Sequence, residues 1–212
     1  GDSRYRAAAL NTLGTAVQYQ GRYQEAEPLL KEALAIRRKL FGNEHPAVAT
    51  SLHNLALLYA AMGRYQEAEP LYKEALAIRR KLFGNEHPDV ADSLNNLAVL
   101  YDDMGRYQEA EPLYREALAI DRKHYGKEHP AVATDLNNLA ALYDDIGRYQ
   151  EAESLLKEAL AIWRKAFGNE HPDVALSLNN LAELYRDMGR YQEAEPLHKE
   201  ALAIRRKLFG NE

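Results

Sequence analysis

The sequence predicts an all-α protein, a superhelical α-solenoid of five helix-turn-helix repeats and ten helices. A nine-residue segment, Gly63–Leu71, recurs so that five copies follow one another at a spacing of 42 residues, with Ser154 replacing proline in one copy. A fixed period of this size is typical of stacked repeats, in which each unit packs only on its neighbours. Apolar residues at helical spacing flank every copy. We therefore expect a single repeat domain over residues 1–212, with repeats at about 4–45, 46–87, 88–129, 130–171 and 172–212.

The first helix of each repeat, helix A, is illustrated by the third repeat. Pro88 suits the start of a helix, because the backbone donor that proline lacks would be unpaired there anyway. One apolar face then follows at helical spacing, made of Val90, Leu94, Leu97, Ala98 and Tyr101. We expect this helix from about Asp89 to Asp103, ended by Gly105, which can adopt positive φ without strain.

The second helix, helix B, is expected to begin near Tyr107 and to stop at Gly126. Its apolar face contains Ala110, Leu113, Tyr114, Ala117, Leu118 and Ile120. The first repeat is shorter at its start, so its helix A is expected from about Tyr5 to Tyr19. The inward residues of that helix are expected to be Leu10, Leu13, Gly14 and Val17. No strand is expected.

The composition argues against several kinds of partner and chemistry. The chain has 27 basic and 32 acidic residues and a net charge of −5, whereas nucleic acids and anionic membranes require a basic surface. It has no cysteine, which excludes disulfides and thiol chemistry. It has neither a long apolar run nor the apolar region of a signal peptide, so a cytoplasmic location is the default expectation. The sequence starts and stops at repeat boundaries, as a fragment of a longer array would.

These residues resemble the tetratricopeptide repeat family. The helix-A pattern of that family is matched by Leu94, Leu97, Ala98 and Tyr101, and its small–aromatic–small pattern in helix B by Ala110, Tyr114 and Ala117. The usual repeat has ~34 residues, whereas the 42-residue unit here is similar to the kinesin light chain repeats. The segments 51–56, 93–98 and 170–175 carry that similarity. The resemblance implies a scaffold that binds proteins and has no catalytic activity or cofactor.

In that family, helix-A residues on the concave side contact an extended peptide. We define the helix-A stripe as the residues beside the inward face of each helix A. Its members are Ala8, Asn11, Thr15, Gln18 and Tyr19; Thr50, His53, Leu57, Ala60 and Ala61; Asp92, Asn95, Val99, Asp102 and Asp103; Thr134, Asn137, Ala141, Asp144 and Asp145; Leu176, Asn179, Glu183, Arg186 and Asp187. The stripe varies between repeats while the packing positions hardly change. Because a peptide's side chains are not periodic, this variation indicates that the stripe determines specificity.

The residues predicted to bind a peptide are a subset of this stripe. They are Asn11, Thr50, His53, Leu57, Asp92, Asn95, Val99, Asp102, Asp103, Asn137, Asp144, Asp145, Asn179, Glu183 and Arg186.

Four asparagines at equivalent stripe positions form an asparagine ladder, Asn11, Asn95, Asn137 and Asn179, which His53 interrupts. Each amide offers donors and an acceptor, so the ladder can bind a peptide main chain. The alternative is hydrogen bonding between adjacent helices. The asparagines one residue further along are assigned the structural role, namely Asn54, Asn96, Asn138 and Asn180.

Acidic residues close several A helices, where they oppose the helix dipole. One interpretation is that the loop arginine four residues on neutralises them, Arg106 for Asp102 and Arg148 for Asp144. The other is an acidic groove for a basic or amine-bearing ligand. The less polar residues of the second repeat, Leu57, Ala60 and Ala61, suit an apolar anchor.

Other candidate sites are weaker. Four loop histidines, His45, His87, His129 and His171, are each alone and have no second ligand at zinc spacing, so they are expected to cap or pack the loop. Trp163 is expected at the surface, either as a contact residue or without a role. No nucleophile–base set stands out, and we expect no metal and no enzymatic activity.

The predicted function is therefore protein or peptide binding in the concave helix-A groove. The alternative is homotypic assembly, because the last helix B has no following repeat and its Leu197, Leu202 and Leu208 would partly face water.

Overall fold

The computed structural model describes residues 2–210, apart from the side chain of Phe209. Over this range the chain forms ten α-helices and no strand, as predicted. The helices are α1 (Asp2–Tyr19), α2 (Tyr23–Phe41), α3 (Pro46–Ala61), α4 (Tyr65–Phe83), α5 (Pro88–Asp103), α6 (Tyr107–Tyr125), α7 (Pro130–Asp145), α8 (Tyr149–Phe167), α9 (Pro172–Asp187) and α10 (Tyr191–Phe209). Consecutive A and B helices pack together as hairpins, namely α1 with α2, α3 with α4, α7 with α8 and α9 with α10.

The helices group into two compact units, Gly1–Arg106 and Tyr107–Glu212. The first unit holds α1 to α5 and the second holds α6 to α10. The boundary lies between the two helices of the third repeat, not between repeats. The expected single domain over 1–212 stays a prediction, and its end residues Gly1, Asn211 and Glu212 lie outside the described residues.

Local signals fix both ends of helix A. In α3 the Nδ1 atom of His45 accepts a hydrogen bond from the backbone N–H of Ala47 at 3.1 Å, and Pro46 occupies the first helical position. At the other end Gly63 has a φ of 71°. Its N–H donates to the carbonyl of Ala60 at 2.9 Å, while that of Arg64 donates to Tyr59 at 2.8 Å. This pair of bonds is a Schellman motif, which requires the left-handed glycine.

The core repeats with the sequence. In α3 the inward residues Val48, Leu52, Leu55, Ala56 and Tyr59 are at most 5% exposed. The corresponding residues of α5, α7 and α9 are buried to the same degree. Helix B contributes its small–aromatic–small face, which in α4 is Ala68, Tyr72 and Ala75. The core therefore lies between the two helices of a hairpin and between consecutive hairpins.

A four-residue ion latch ties successive hairpins together. Glu27 of α2 accepts hydrogen bonds from Arg64 Nη1 at 2.7 Å and Tyr59 Oη at 3.2 Å, and it pairs with Lys31. The Arg64 guanidinium lies 4.2 Å from the centre of the Tyr59 ring. Equivalent latches surround Glu69, Glu111 and Glu153. This contact gives the arginine of the recurrent segment a structural role across repeats.

The first helix departs from the prediction in two ways. It begins at Asp2, not near Tyr5. Gly14 and Val17 are buried as expected, but Leu13 is 52% exposed. The equivalent Leu55 of α3 is 4% exposed, because it lies between consecutive hairpins. Within the described range no hairpin precedes α1 to cover Leu13.

Candidate ligand-binding clefts

The helix-A stripe lines a cleft of about 400 Å³ in the first unit. Three A helices contribute to it, with Gln18 and Tyr19 from α1, Leu57 from α3, and Val99 and Asp103 from α5. The remaining lining residues are Tyr23, Ala60, Ala61, Tyr72, Asn96 and Leu100. Of the predicted binding residues, the cleft brings together Leu57, Val99 and Asp103. Its wall is largely apolar and aromatic, as the less polar second repeat suggested.

Gln18 is an unusual residue in this wall. Its side chain is 8% exposed, and its amide oxygen accepts no hydrogen bond from any described residue. A buried polar atom without a partner costs roughly 1–3 kcal/mol. A ligand that supplies an N–H or O–H donor at this point would recover that cost.

The acidic group of the cleft is Asp103. It forms no ion pair with any lysine or arginine among residues 2–210. Partial burial raises the pKa of this carboxyl above its usual value. Burial, together with the nearby charge of Asp103, also raises the pKa of the Tyr72 phenol. Asp103 as a whole remains exposed to solvent at the edge of the cleft, and its charge acts on the aromatic wall through Tyr72.

The second unit has two neighbouring clefts that share Asn137, Ala141 and Asn180. One has a volume of about 140 Å³, and its other lining residues are Ala140, Asp144, Leu156 and Glu183. The other has a volume of about 350 Å³, and its other lining residues are Thr134, Asn138, Trp163, Asp173 and Leu176. Of the predicted binding residues, these clefts bring together Asn137, Asp144 and Glu183.

The acidic groups at the end of α7 and α9 crowd one another. Burial and the charges of Asp187 and Asp145 raise the pKa of Asp144, and Arg186 offsets only part of this effect. Arg186 itself pairs with Glu183. The i,i+4 neutralisation of Asp144 by Arg148 was a wrong interpretation, because Arg148 donates to Glu111 at 2.7 Å and to Glu151 at 2.5 Å. Arg106 takes part in the equivalent ion latch and donates to Glu69 at 2.7 Å.

Hydrogen bonds within the protein involve much of the asparagine ladder. Asn11 Oδ1 lies 3.2 Å from Asn54 Nδ2, and Asn137 Nδ2 lies 3.4 Å from Ser177 Oγ in the next repeat. Asn179 Oδ1 lies 3.3 Å from Nδ1 of His198 in its own hairpin. Contacts between adjacent helices, the structural alternative, therefore involve Asn11 and Asn179. Asn137 donates more closely to the carbonyl of Ala133 in its own helix, at 2.9 Å, and its amide oxygen is buried without a partner. Asn54 has the structural role expected of it, and Asn96 donates to the carbonyl of Asp92 at 2.6 Å.

His53, which interrupts the ladder, is neutral at pH 7. Burial of the ring and the positive charge of Arg79 lower its pKa to about 4. The imidazole packs edge-on against Tyr72, with 5.6 Å between ring centres. Thr50, Asp92, Asn95, Asp102, Asp145 and Arg186, the other predicted binding residues, lie on helix A outside the three clefts described above.

Trp163 is buried, and the expected surface position is wrong. Its side chain is 8% exposed and stacks on Phe167, with 5.6 Å between ring centres. The corresponding residue of α4, Arg79, donates to Ser93 Oγ of the next helix A at 2.6 Å. The position therefore belongs to the contact between repeats. Burial in that contact gives Trp163 a packing role.

Sequence reasoning did not identify Tyr23 and Tyr72 as cleft residues. Both residues lie on B helices, whereas the helix-A stripe contains residues of A helices only. The position of Tyr72 carries Leu30, Tyr114, Leu156 and His198 in the other repeats. This variation is a signal in the sequence for Tyr72. The position of Tyr23 is tyrosine in every repeat and carries no such signal.

The loop histidines cap helices, as expected. His87, His129 and His171 each accept a hydrogen bond through Nδ1 from the N–H two residues on, as His45 does. The His171 ring also stacks on Phe167 at 4.3 Å. Within residues 2–210 no group of three histidine or acidic side chains could hold a metal ion. None of the helices in that range combines the length and apolar character needed to cross a bilayer.

Ten helices in five repeats over residues 2–210, the glycine-ended turns and the repeated core define the chain as an all-α helical-repeat protein. The tetratricopeptide repeat family model matches residues 5–81, 52–123, 103–165 and 136–207. The chain belongs to the tetratricopeptide repeat family. This fold generally mediates protein–protein interaction, and its scaffolds are typically non-catalytic. No curated protein matches the sequence.

Solved structures of kinesin light chain-like repeats are also similar to this chain. The nearly identical TPR-like repeats of a Podosopora anserina putative kinesin light chain are 36% identical, with 98% of this chain and 99% of that chain covered and a TM-score of 0.81. BtubC (BKLC) from P. vanneervenii is 29% identical over 99% of this chain and 84% of its own, with a TM-score of 0.83. The expected similarity to kinesin light chain repeats is confirmed.

Proposed function

We propose that this chain is a scaffold that binds an extended peptide or a protein segment along the helix-A stripe. The observation that carries the proposal is the contrast between constant packing and variable clefts. The position of Leu57 holds Thr15, Val99, Ala141 and Glu183 in the other repeats, while the ends of the A helices and the bounds of the B helices remain equivalent. Side chains that vary on a constant frame are what recognition of a non-periodic ligand requires.

The chemistry of the clefts also supports binding. They combine apolar walls with a few polar atoms, Gln18, Asp103 and Asp144 among them, which is the usual composition of recognition sites. The acidic groups favour a basic partner. The asparagine ladder has a smaller part in this proposal than the sequence suggested, since intramolecular hydrogen bonds involve three of its amides.

A pair of matched substitutions tests the location of the ligand. Ala141 and Ala161 are both exposed alanines in the second unit, but only Ala141 lines the clefts. Peptides selected on the intact chain from a random display library should bind Ala141→Arg at least about 10-fold more weakly, because the long side chain fills the cleft. Ala161→Arg should bind like the unaltered chain. Equal binding by both variants, or a library that yields no binder, would contradict the proposal.

Homotypic assembly is a second candidate, favoured by an exposed apolar face on α10. Leu202 is 47% exposed, whereas the equivalent Leu160 is 7% exposed. Leu208 is 41% exposed and Tyr191 is 66% exposed. A second copy could cover this face with its own α1, where Leu13 is also exposed. Light scattering at high protein concentration tests this, since a strict monomer rules it out and Leu202→Lys should dissociate any oligomer.

A further inference from the structure

The cleft of the first unit presents a buried acceptor without a donor and an exposed carboxylate without a cation. The acceptor is the amide oxygen of Gln18, and the carboxylate is Asp103, which no lysine or arginine of the described residues neutralises. Asn96, which also lines the cleft, already uses its amide N–H on Asp92. The missing complement is a group that carries several N–H donors and a positive charge.

The protein itself shows how it holds such a group. In the ion latch, Arg64 lies 4.2 Å from the Tyr59 ring centre and donates to Glu27 at 2.7 Å. In the second unit, Arg148 lies 3.9 Å from the Tyr143 ring centre and donates to Glu111 at 2.7 Å. A tyrosine ring and a carboxylate thus bind a guanidinium from two sides.

We propose that the cleft between α1, α3 and α5 binds an arginine side chain of the partner peptide. Its guanidinium would lie against the aromatic wall of Tyr19, Tyr23 and Tyr72 and donate to Asp103 and Gln18. A guanidinium suits this wall because it is planar and stacks on aromatic faces while its edge donates hydrogen bonds. The aliphatic stem would contact Leu57 and Val99.

The smaller cleft of the second unit is less suited to a guanidinium than the cleft of the first unit. The 140 Å³ cleft contains Asp144 and Glu183 but no aromatic ring, since Leu156 replaces Tyr72. The positive charge of Arg186 lies close to its acids. Asn137 Oδ1 and Asp144 Oδ1 are buried without partners, as Gln18 Oε1 is. The cleft nevertheless lacks the aromatic stacking surface, and the charge of Arg186 opposes a second cation there. Asp145 therefore serves as a control for Asp103, because it occupies the equivalent position one repeat later.

The inference rests on the proposed peptide-binding function, and the experiment separates the two. Peptides selected from a random display library on the full chain would be resynthesised with each arginine replaced by citrulline or by lysine, and titrated by fluorescence anisotropy. Citrulline keeps the shape and removes the charge. We expect one arginine whose replacement by citrulline weakens binding about 10-fold or more, the size of one charge-assisted contact. Lysine should restore only part of the affinity, because it cannot stack as a plane.

Variants of the protein locate that arginine. Asp103→Asn and Gln18→Met should each weaken the arginine peptide and leave the citrulline peptide nearly unchanged, while Asp145→Asn should change neither. Circular dichroism confirms that each variant is folded. If peptides bind but show no arginine preference, or if Asp103→Asn binds them as tightly as Asp145→Asn, the arginine cleft is refuted and the peptide-binding function stands. If the library yields no binder at all, both are refuted.

Discussion

Replacement of Glu27 by glutamine tests whether the ion latch couples consecutive repeats. Glutamine keeps the shape of the side chain and removes its charge. The hydrogen bond from Arg64, followed by the contact with Lys31, lowers the pKa of Glu27 to about 2 from an ordinary 4.5. Each pKa unit corresponds to about 1.4 kcal/mol, which gives an upper limit of roughly 3 kcal/mol for the latch. Because the side chains of Arg64 and Lys31 are 30% and 53% exposed, we expect a loss of about 1–2 kcal/mol.

Glu195 supplies the matched control. It occupies the same position in the last described hairpin, but its carboxylate pairs only with Lys199 and is 65% exposed among the described residues. Glu195→Gln should cost a few tenths of a kcal/mol, as an exposed i,i+4 pair does. Urea unfolding measures the total loss, and amide hydrogen exchange shows whether protection falls at the contact between α2 and α3.

The pH dependence gives a second criterion. The folded-state pKa of Glu27 lies below its unfolded value, so its contribution is complete above about pH 4.5 and disappears as the pH falls towards about 2. The difference in unfolding free energy between the unaltered chain and Glu27→Gln should therefore vanish over that interval. Equal small losses for Glu27→Gln and Glu195→Gln, or a difference that persists at pH 2, would refute the reasoning.

Three further predictions use other parts of the repeat. Trp163→Ala should lower stability by about 3 kcal/mol, because it leaves a cavity. Trp163→Arg should cost clearly less, because arginine occupies this position beside Ser51 and Ser93 in other repeats. Thermal unfolding compares the two variants. His171→Ala should cost about 1 kcal/mol through loss of the helix cap and His171→Asn should retain stability, as urea unfolding would show. Binding of a basic peptide library should weaken with added salt and when four aspartates are changed to asparagine, namely Asp102, Asp103, Asp144 and Asp145. Binding that stays the same under both changes would contradict the acidic-groove hypothesis.

The helix bounds could be predicted closely because they depend on local signals. Pro88 and Gly105 delimit α5 through their own backbone preferences, and the structure places the helix within one residue of the expected start. The start of α1 differed more, by three residues, since no histidine–proline pair marks it. Proline and glycine signals therefore determine where these helices begin and end, and the lack of such a signal explains the error at the start of α1.

The roles of Arg148 and Trp163 could not be predicted in the same way. Arg148 depends on Glu111, a partner in another hairpin that lies 37 residues away in the sequence. Trp163 occupies the position at which Arg79 contacts Ser93 of the next helix A. Within its own repeat, Arg148 has an acidic neighbour at i−4, which made the local pairing look sufficient. A periodic sequence makes such contacts predictable once the arginine and the glutamate are compared across consecutive repeats instead of within one.

The same periodicity explains how one array can hold different clefts. The stacking contacts, including the ion latch, recur every 42 residues, so equivalent residues of different repeats have the same neighbours in the core. A stripe position such as that of Gln18 is free of this constraint and carries Asp144 in the fourth repeat. The buried amide of Gln18 accepts no hydrogen bond, while the carboxylate of Asp144 lies among other acids. Neither the unpartnered amide nor the crowded carboxylate stabilises the fold. We therefore infer that the stripe varies between repeats because these side chains are needed for binding.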